Sequence, residues 1–402
     1  MKKLSYICIM LLSMYCISCT EEKESIEVPR IAFKEYLSHT DKISIGTDEI
    51  KHIEYVPLEL TDDDASLIGT IVDIAMTNEF FFVQTFEDFR LLQFGRDGKY
   101  IRTITQRGDG PGRLQTPGFS IWTNEKEQKL YVSEAENISV FTFDGDFEKK
   151  ISREGRWVNY AGGDGLDWVA ETFRENIPFD IPPYFGIGTF RYQDNTPCDT
   201  LSMKKDYGNP LVAPLKETMF FMGFFIQCEE GYRYGVSCND TLFTMTKEGI
   251  KPFLIMDREA SSEEKKHYFA AHMEPYPGMI YIRHVCETPK HLYFRFFNNG
   301  DYYLLSYEKS TGKVLCRKTD ISLQENQDFD MAMTCPGIEN EFNGGLPVWF
   351  RKWNPKANVA IQPTSAATIA WMKEEGMIKN LPSCLKDYPE DGNPVVAVYQ
   401  FK

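Results

Sequence analysis

The sequence predicts an all-β fold: a six-bladed β-propeller with four-stranded antiparallel blades and a few short helices in insertions. Three observations predict it. A segment repeats at an offset of 47 residues, each repeat holds four short strand-like runs, and helical pattern is scarce along the 402 residues.

Residues 91–104 realign on 138–151, so that Phe94 meets Phe141, Asp97 and Gly98 meet Asp144 and Gly145, Tyr100 meets Phe147, and Ile104 meets Ile151. Each copy reads as a hairpin in which two apolar-alternating strands meet at an Asp-Gly turn, where glycine accepts the positive φ that such a turn requires. Upstream lie two more strand-like runs per copy, Ile71–Met76 with Phe80–Thr85 in the first and 119–124 with 129–134 in the second. The same turn spacing returns after Leu242 at Lys247, Glu248 and Gly249, and again over 291–313 with one residue inserted. The clearest helical patterns lie over 261–271 and 366–375. The length permits six or seven blades, and long insertions over 262–277 and 326–343 favour six.

Composition narrows the function classes. With 42% hydrophobic and 14% aromatic residues the chain is too rich in core-forming side chains to be disordered. Its 44 Lys+Arg against 59 Asp+Glu give a formal net charge of -15, and no run of five cations offsets this locally. General binding to nucleic acid or to an anionic membrane surface is therefore not expected, because the phosphate attraction needs clustered cations.

The N-terminus carries an address. Lys2 and Lys3 precede an apolar stretch over 4–17 and then Ser18 and Cys19, the arrangement of a secretory signal over residues 1–18. The stretch is too short for a membrane span, which needs about 20 apolar residues. Cys16-Ile17-Ser18-Cys19 resembles a bacterial lipobox, departing from it at Cys16. The resemblance implies that Cys19 receives a lipid and heads the mature chain; the alternative is an ordinary signal with an incidental cysteine. Residues 19–30 then form a flexible tether and 31–402 a single propeller domain. The acidic run over 21–24 resembles a cell-surface export signal and reads equally well as a solvated linker.

Beyond the leader remain Cys198, Cys228, Cys238, Cys286, Cys316, Cys335 and Cys384. An odd number leaves at least one thiol without an internal partner, and none of these sits in a C-x-x-C spacing. Cys228 and Cys238 could bridge adjacent strands; otherwise these cysteines are small buried apolar residues.

Tyr55-Val56-Pro57-Leu58-Glu59, the repeated units, the Gly-rich run from Arg107 to Gly112 and the closing segment over 393–402 together resemble the six-bladed β-propeller lipoproteins of Bacteroidota, relatives of the NHL-repeat propellers. The resemblance covers nearly all of the mature chain and is thinnest over 157–211. It implies a fold and an outer-membrane location, periplasmic or surface-exposed, but no biochemical role. It also implies that an N-terminal strand such as that over 43–57 closes the ring beside Val395–Phe401, because an open ring would leave unpaired strand edges.

Chemistry-bearing motifs are few. Gly108-Asp109-Gly110-Pro111-Gly112 lacks the Gly-Lys-Ser/Thr ending of a phosphate cradle and falls where one blade hands over to the next, so it reads as a turn. Its neighbours Arg107 and Arg113 could fork onto a carboxylate or sugar acid at a channel mouth. None of the six histidines forms an H-E-x-x-H pair; His284, beside Arg283 near a blade start, is the best single candidate, against a satisfied core or surface histidine. There is no G-x-S-x-G elbow. Asp62-Asp63-Asp64 lacks a calcium-loop pattern and reads as a solvated turn. Trp349, Arg351 and Trp353, after Gly344-Gly345, have the composition of a sugar-stacking or protein-docking surface, unless the tryptophans are buried filling.

The expected function is that of a non-enzymatic, lipid-anchored envelope module. Its ligand-binding candidates are Arg107, Arg113, Arg283, His284, Trp349, Arg351 and Trp353, with no catalytic residue, metal ligand or cofactor assigned. Expected partners are an envelope glycan, a peptide or an outer-membrane protein, with membrane contact through the anchor alone. The alternative is a metal-assisted propeller hydrolase or lyase acting on a glycan, lactone or peptide. A third reading is a structural accessory of an outer-membrane uptake complex.

Overall fold

A computed structural model describes residues 27–116, 120–134, 137–152, 160–163, 168–174, 185–191, 197–202, 223–236, 240–259, 277–319 and 337–402. The expected helix over 261–271, the lipidation residue Cys19, and Cys238 and Cys335 lie outside the described residues. No described helix is long and apolar enough to cross a membrane.

The described strands form the six expected blades. Blade one is β4 (Ile71–Met76), β5 (Phe80–Thr85), β6 (Leu91–Gly95) and β7 (Tyr100–Thr105). Blade two is β8 (Ile121–Asn124), β9 (Lys129–Ser133), β10 (Asn137–Thr142) and β11 (Phe147–Ser152). Blade three is β12 (Tyr160–Gly162), β13 (Trp168–Arg174), β14 (Phe185–Arg191) and β15 (Pro197–Ser202). Blade four comprises β16 (Gly223–Cys228), β17 (Gly231–Val236), β18 (Thr241–Thr246) and β19 (Gly249–Asp257), and blade five β20 (Tyr281–Glu287), β21 (His291–Asn298), β22 (Asp301–Glu308) and β23 (Val314–Lys318). Within each of these sheets the four strands are antiparallel neighbours in chain order.

Blade six is built from both ends of the chain. Its strands are β25 (Lys352–Asn354), β26 (Val359–Thr364), β27 (Val395–Phe401) and, on the outside, β3 (Ile50–Pro57). β27 pairs antiparallel with β3, from Val395 opposite Pro57 to Phe401 opposite Ile50. The expected closure thus exists, with the closing strand starting at Ile50 rather than 43.

The strands read as nearly continuous apolar runs because both faces of a blade are covered. In β5, Phe81 and Val83 pack towards blade six with Val396 and Ile361, whereas Phe82 packs towards blade two with Ile121 and Phe141. A period-two strand buried on both sides leaves no polar face to alternate with. The outer strand β11, by contrast, exposes Glu148 and Lys149.

The N-terminal segment forms a strap around the ring that no local pattern announces. β1 (Arg30–Ala32) adds in parallel to the outer edge of blade four, opposite Ile255–Asp257 by residue number 255–257. Phe33 is then wholly buried edge-on against Phe294 and Phe296 of blade five. β2 (Ser44–Ile45) pairs in parallel with β24 (Glu339–Asn340), part of the insertion before blade six. Glu49, 3% exposed, accepts from Thr288 Oγ1 at 2.8 Å and lies 2.7 Å from His291 Nδ1. The strap thereby covers edges that would otherwise be open to pairing.

Between β26 and β27 sits α1 (Ala366–Glu374). Ser365 caps it by accepting the N–H of Thr368, and Gly376 ends it at φ 67°, a left-handed conformation that glycine adopts at no steric cost. Ile369 and Met372 anchor it on Leu346, Leu385 and Val395.

Candidate functional site at the seam of blades one and six

The inner strands of blades six, one and two meet in a polar junction. Lys352, at the start of β25, places its ammonium 3.0 Å from Asp73 Oδ2 and 3.3 Å from the carbonyl of Ile74, and it also donates to the carbonyl of Ile121. Asp73 further accepts the N–H groups of Ile74 and Ile121, at 2.9 and 2.8 Å. Three inner strands from blades six, one and two are thus tied at one point. Arg351 donates to the carbonyl of Val72, the residue bulged out of the β4–β5 ladder. Arg351 is therefore engaged in inter-blade bonding.

The two tryptophans are buried, at 6% for Trp349 and 3% for Trp353. They take the filling role: the guanidinium of Arg295 lies 4.0 Å over the Trp349 ring, and Trp353 meets Phe401 edge-on. A side chain shut in between blades five and six presents no stacking surface to a sugar. His284 sits on β20 opposite Arg295, next to a bulge at Arg283 that shifts the register. The Arg283 side chain lies outside the described residues.

Arg107 and Arg113 flank one tight turn, as read from the sequence. Gly108 N–H donates to the Leu114 carbonyl, and Gly110 and Gly112 take φ values of 114° and 73°. Both arginines are exposed. Arg107 spreads over the Phe89 ring at 5.3 Å, and Arg113 runs alongside Gly108. They belong to an inter-blade turn, and among the described residues no helix opens there as a phosphate cradle would require.

Among the described residues no group of three or more His, Cys, Asp or Glu is arranged to hold a metal ion. Cys228, Cys286 and Cys316 are buried free thiols; Cys238, the partner the sequence allowed for Cys228, lies outside the described residues. Burial pushes all three thiols up to about 12, which keeps them protonated and poor nucleophiles.

Among the described residues an open concavity lies elsewhere, on the outer rim where blade six meets blade one. A cleft of about 680 Å³ is walled by the loop after β3 (Leu58, Glu59, Leu60, Thr61, Asp62, Asp64), the β6–β7 turn (Asp97 to Lys99), and Tyr388 to Asn393 ahead of β27. Its size falls in the range of small-ligand clefts. One buried side chain fixes two walls. Asn393, 0% exposed, donates to the carbonyls of Glu59 and Ser66 and accepts the N–H of Ile68, each at 2.8 Å. Tyr388 donates to the Asn393 carbonyl at 2.6 Å, and burial pushes its phenol up to about 12, so it stays a neutral donor.

The third wall is locked by close approach. Gly98 takes φ 83°, and a Cβ there would sit 2.1 Å from the Pro57 carbonyl. Glu59 receives Lys99 Nζ at 3.0 Å and the Tyr100 N–H at 2.9 Å. The Lys99 contact first, then the Tyr100 N–H, hold the Glu59 carboxyl below its usual range. Asp62, Asp64, Asp97 and Asp391 remain as exposed carboxylates around the opening. Such a rim can hold cations and hydrogen-bond donors.

A family model for a domain of unknown function, DUF4934, matches residues 29–400. The chain belongs to the DUF4934 family. No curated protein sequence matches it. Among solved structures, a "Putative exported protein" from Bacteroides fragilis superposes with a TM-score of 0.57 at 13% identity, over 93% of this chain and 99% of that one. At that identity the likeness shows the fold. The DUF4934 match spans the N-terminal strap as well as the six blades, in keeping with a ring that both chain ends complete.

Sequence reasoning missed the cleft and the Lys352–Asp73 pair. Asn393 stood in a segment quoted for family resemblance and Asp62 to Asp64 read as a solvated turn, yet their convergence depends on a separation of more than 320 residues. The available signal was an Asn-Pro step at a strand start, a place where a side-chain amide commonly fixes a loop.

Proposed function

We propose that this DUF4934 protein is an exported β-propeller, held at the cell envelope by a lipid on Cys19, that binds a ligand or protein partner at the blade-six/blade-one cleft without chemical turnover. The observation that carries this reading is the cleft itself: it is open, mixed polar and apolar, and its walls are fixed by Asn393, Tyr388 and the Gly98–Pro57 approach before anything binds. Walls fixed in advance reduce the ordering cost of binding. The "Putative exported protein" of Bacteroides fragilis, which has the same fold, supports export. The signal-like segment before Cys19 supports anchoring.

The test is a thermal-shift screen of the purified chain against envelope glycans, sugar acids, basic and acidic peptides, and divalent metals with a chelator control. A ligand specific to the folded state raises the melting temperature, by about 2.7 kcal/mol of stability at a hundredfold excess over its dissociation constant. A shift from a glycan or peptide that is lost in Tyr388→Ala supports the binding role. A metal-dependent shift accompanied by turnover of a glycan, lactone or peptide would replace it with the hydrolase or lyase reading. Incorporation of labelled palmitate in the bacterium, abolished in Cys19→Ser, tests the anchor.

A further inference from the structure

Three of the four large apolar side chains exposed among the described residues gather beside the cleft: Leu60 at 37%, Leu67 at 42% and Phe86 at 55%. Leu60 lines the cleft, Leu67 donates its N–H to Asp64 of the same wall, and Phe86 donates its N–H to Thr70 at the end of that loop. Exposed apolar groups rimmed by polar residues mark interaction surfaces.

Phe86 is held outward by a rigid loop. Glu87 accepts the Thr70 N–H at 2.9 Å, Arg107 N–H donates to the Asp88 carbonyl at 2.9 Å, and Arg90 pairs with Asp88 at 2.8 Å while donating to the carbonyls of Ala65 and Leu67. These bonds hold Phe89 at φ 53°. A bulky residue in the left-handed region persists only where its surroundings over-determine it, and such strain clusters at working sites.

Carboxylates outnumber cations there, and the cations have partners of their own: Arg90 is paired with Asp88, and Arg107 lies over the Phe89 ring. Asp62, Asp63, Asp64, Glu87, Asp97 and Asp391 are exposed, and Lys99, the cation lining the cleft, is bound to Glu59. We infer that Leu60, Leu67 and Phe86 with the acidic cleft form one docking site for an extended basic segment of a partner protein, which seats an apolar side chain against Phe86. The inference rests on the binding role proposed above and names its partner. Anionic lipid is repelled by the same carboxylates, and a neutral glycan would leave them uncompensated.

The experiment uses short labelled peptides and the purified chain, read by fluorescence polarisation. One peptide carries a central Phe with Lys flanks, a second replaces Phe by Ser, and a third replaces the Lys flanks by Glu. The first is expected to bind and the other two to bind roughly tenfold more weakly or not at all. Phe86→Ser and Leu67→Ser, both on the surface, should weaken the first peptide by a similar factor with the melting temperature unchanged. Asp62→Asn with Asp391→Asn should flatten the salt dependence. Equal binding by the Glu-flanked peptide, or no effect of Phe86→Ser, overturns the inference. Binding of a glycan or small molecule in the screen above, with no peptide bound, overturns the partner and leaves the binding role standing; silence in both experiments overturns both.

Discussion

The side-chain carbonyl of Asn393 accepts the N–H of Ile68 at 2.8 Å, joining the residue that leads into the last strand to the loop that leads into the first blade. Because Asn393 N–H groups also reach the carbonyls of Glu59 and Ser66, a single buried amide holds the cleft wall and the ring closure together. Asn393→Ala is expected to lower stability by about 3 kcal/mol, since the Ile68 N–H and the Ser66 carbonyl lose their partner away from water, while the Glu59 carbonyl keeps the Ser66 hydroxyl. Denaturant unfolding gives the magnitude. Hydrogen exchange should show the loop over 59–68 opening first.

The Lys352–Asp73 pair makes a second prediction. Lys352 and Asp73 have side chains 16% and 11% exposed, and Lys352→Met would leave the carboxylate in a low-dielectric site without its cation. The expected cost is about 3 kcal/mol, and the double variant Lys352→Met with Asp73→Asn should recover part of it, because no orphaned charge remains. A double-mutant cycle by urea unfolding checks both.

Glycine positions at positive φ should divide by what surrounds them. Gly98→Ala meets the Pro57 carbonyl at 2.1 Å, whereas Gly110→Ala, at φ 114°, meets nothing within 4 Å. Backbone strain alone predicts about 1 kcal/mol at Gly110. The collision should raise the cost at Gly98 to about 3 kcal/mol or more, measured as the difference between the two variants.

Acid should loosen the cleft. The Glu59 carboxyl is held below its usual range by Lys99 and then by the Tyr100 N–H, and that of Asp41 mainly by the Cys316 N–H. A carboxylate whose pKa is lower in the folded state stabilises above its unfolded value, about 4 for these groups, and loses that contribution as the pH falls through the folded value. Glu59→Gln keeps an acceptor for Tyr100 but no charge. The melting-temperature gap between wild type and Glu59→Gln should therefore be present at pH 7 and shrink below about pH 4.

Removing residues 393–402 deletes β27 and leaves β26 and β3 with unpaired edges. Aggregation is the expected outcome, followed by light scattering. A soluble, cooperatively melting truncation would contradict the closure seen here.

The blades were legible because their signals are local. The 47-residue offset, the Asp-Gly turns at Gly98 and Gly145 with φ of 83° and 91°, and the runs that became β4 and β5 each need only neighbours in the chain. Exposure was not legible at Trp349 and Trp353. Period-two patterning says which side chains share a face, but here both faces are covered, so an aromatic beside an arginine reads the same whether it meets solvent or another blade.

By itself the sequence determined the all-β class, the repeated four-stranded unit and the scarcity of catalytic motifs, while closure of the last blade by an N-terminal strand was implied by the resemblance to propeller lipoproteins. Only the tertiary structure decided the strap from Arg30 to Glu49, the Lys352–Asp73 junction, and the cleft between Asp62 and Asp391. The physical reason is distance along the chain: Arg30 pairs with Asp257, Glu49 with His291, and Ile68 with Asn393, at separations of 227, 242 and 325 residues. Local sequence sets backbone preference and turn chemistry, whereas which polar groups meet is set by the closing of the ring.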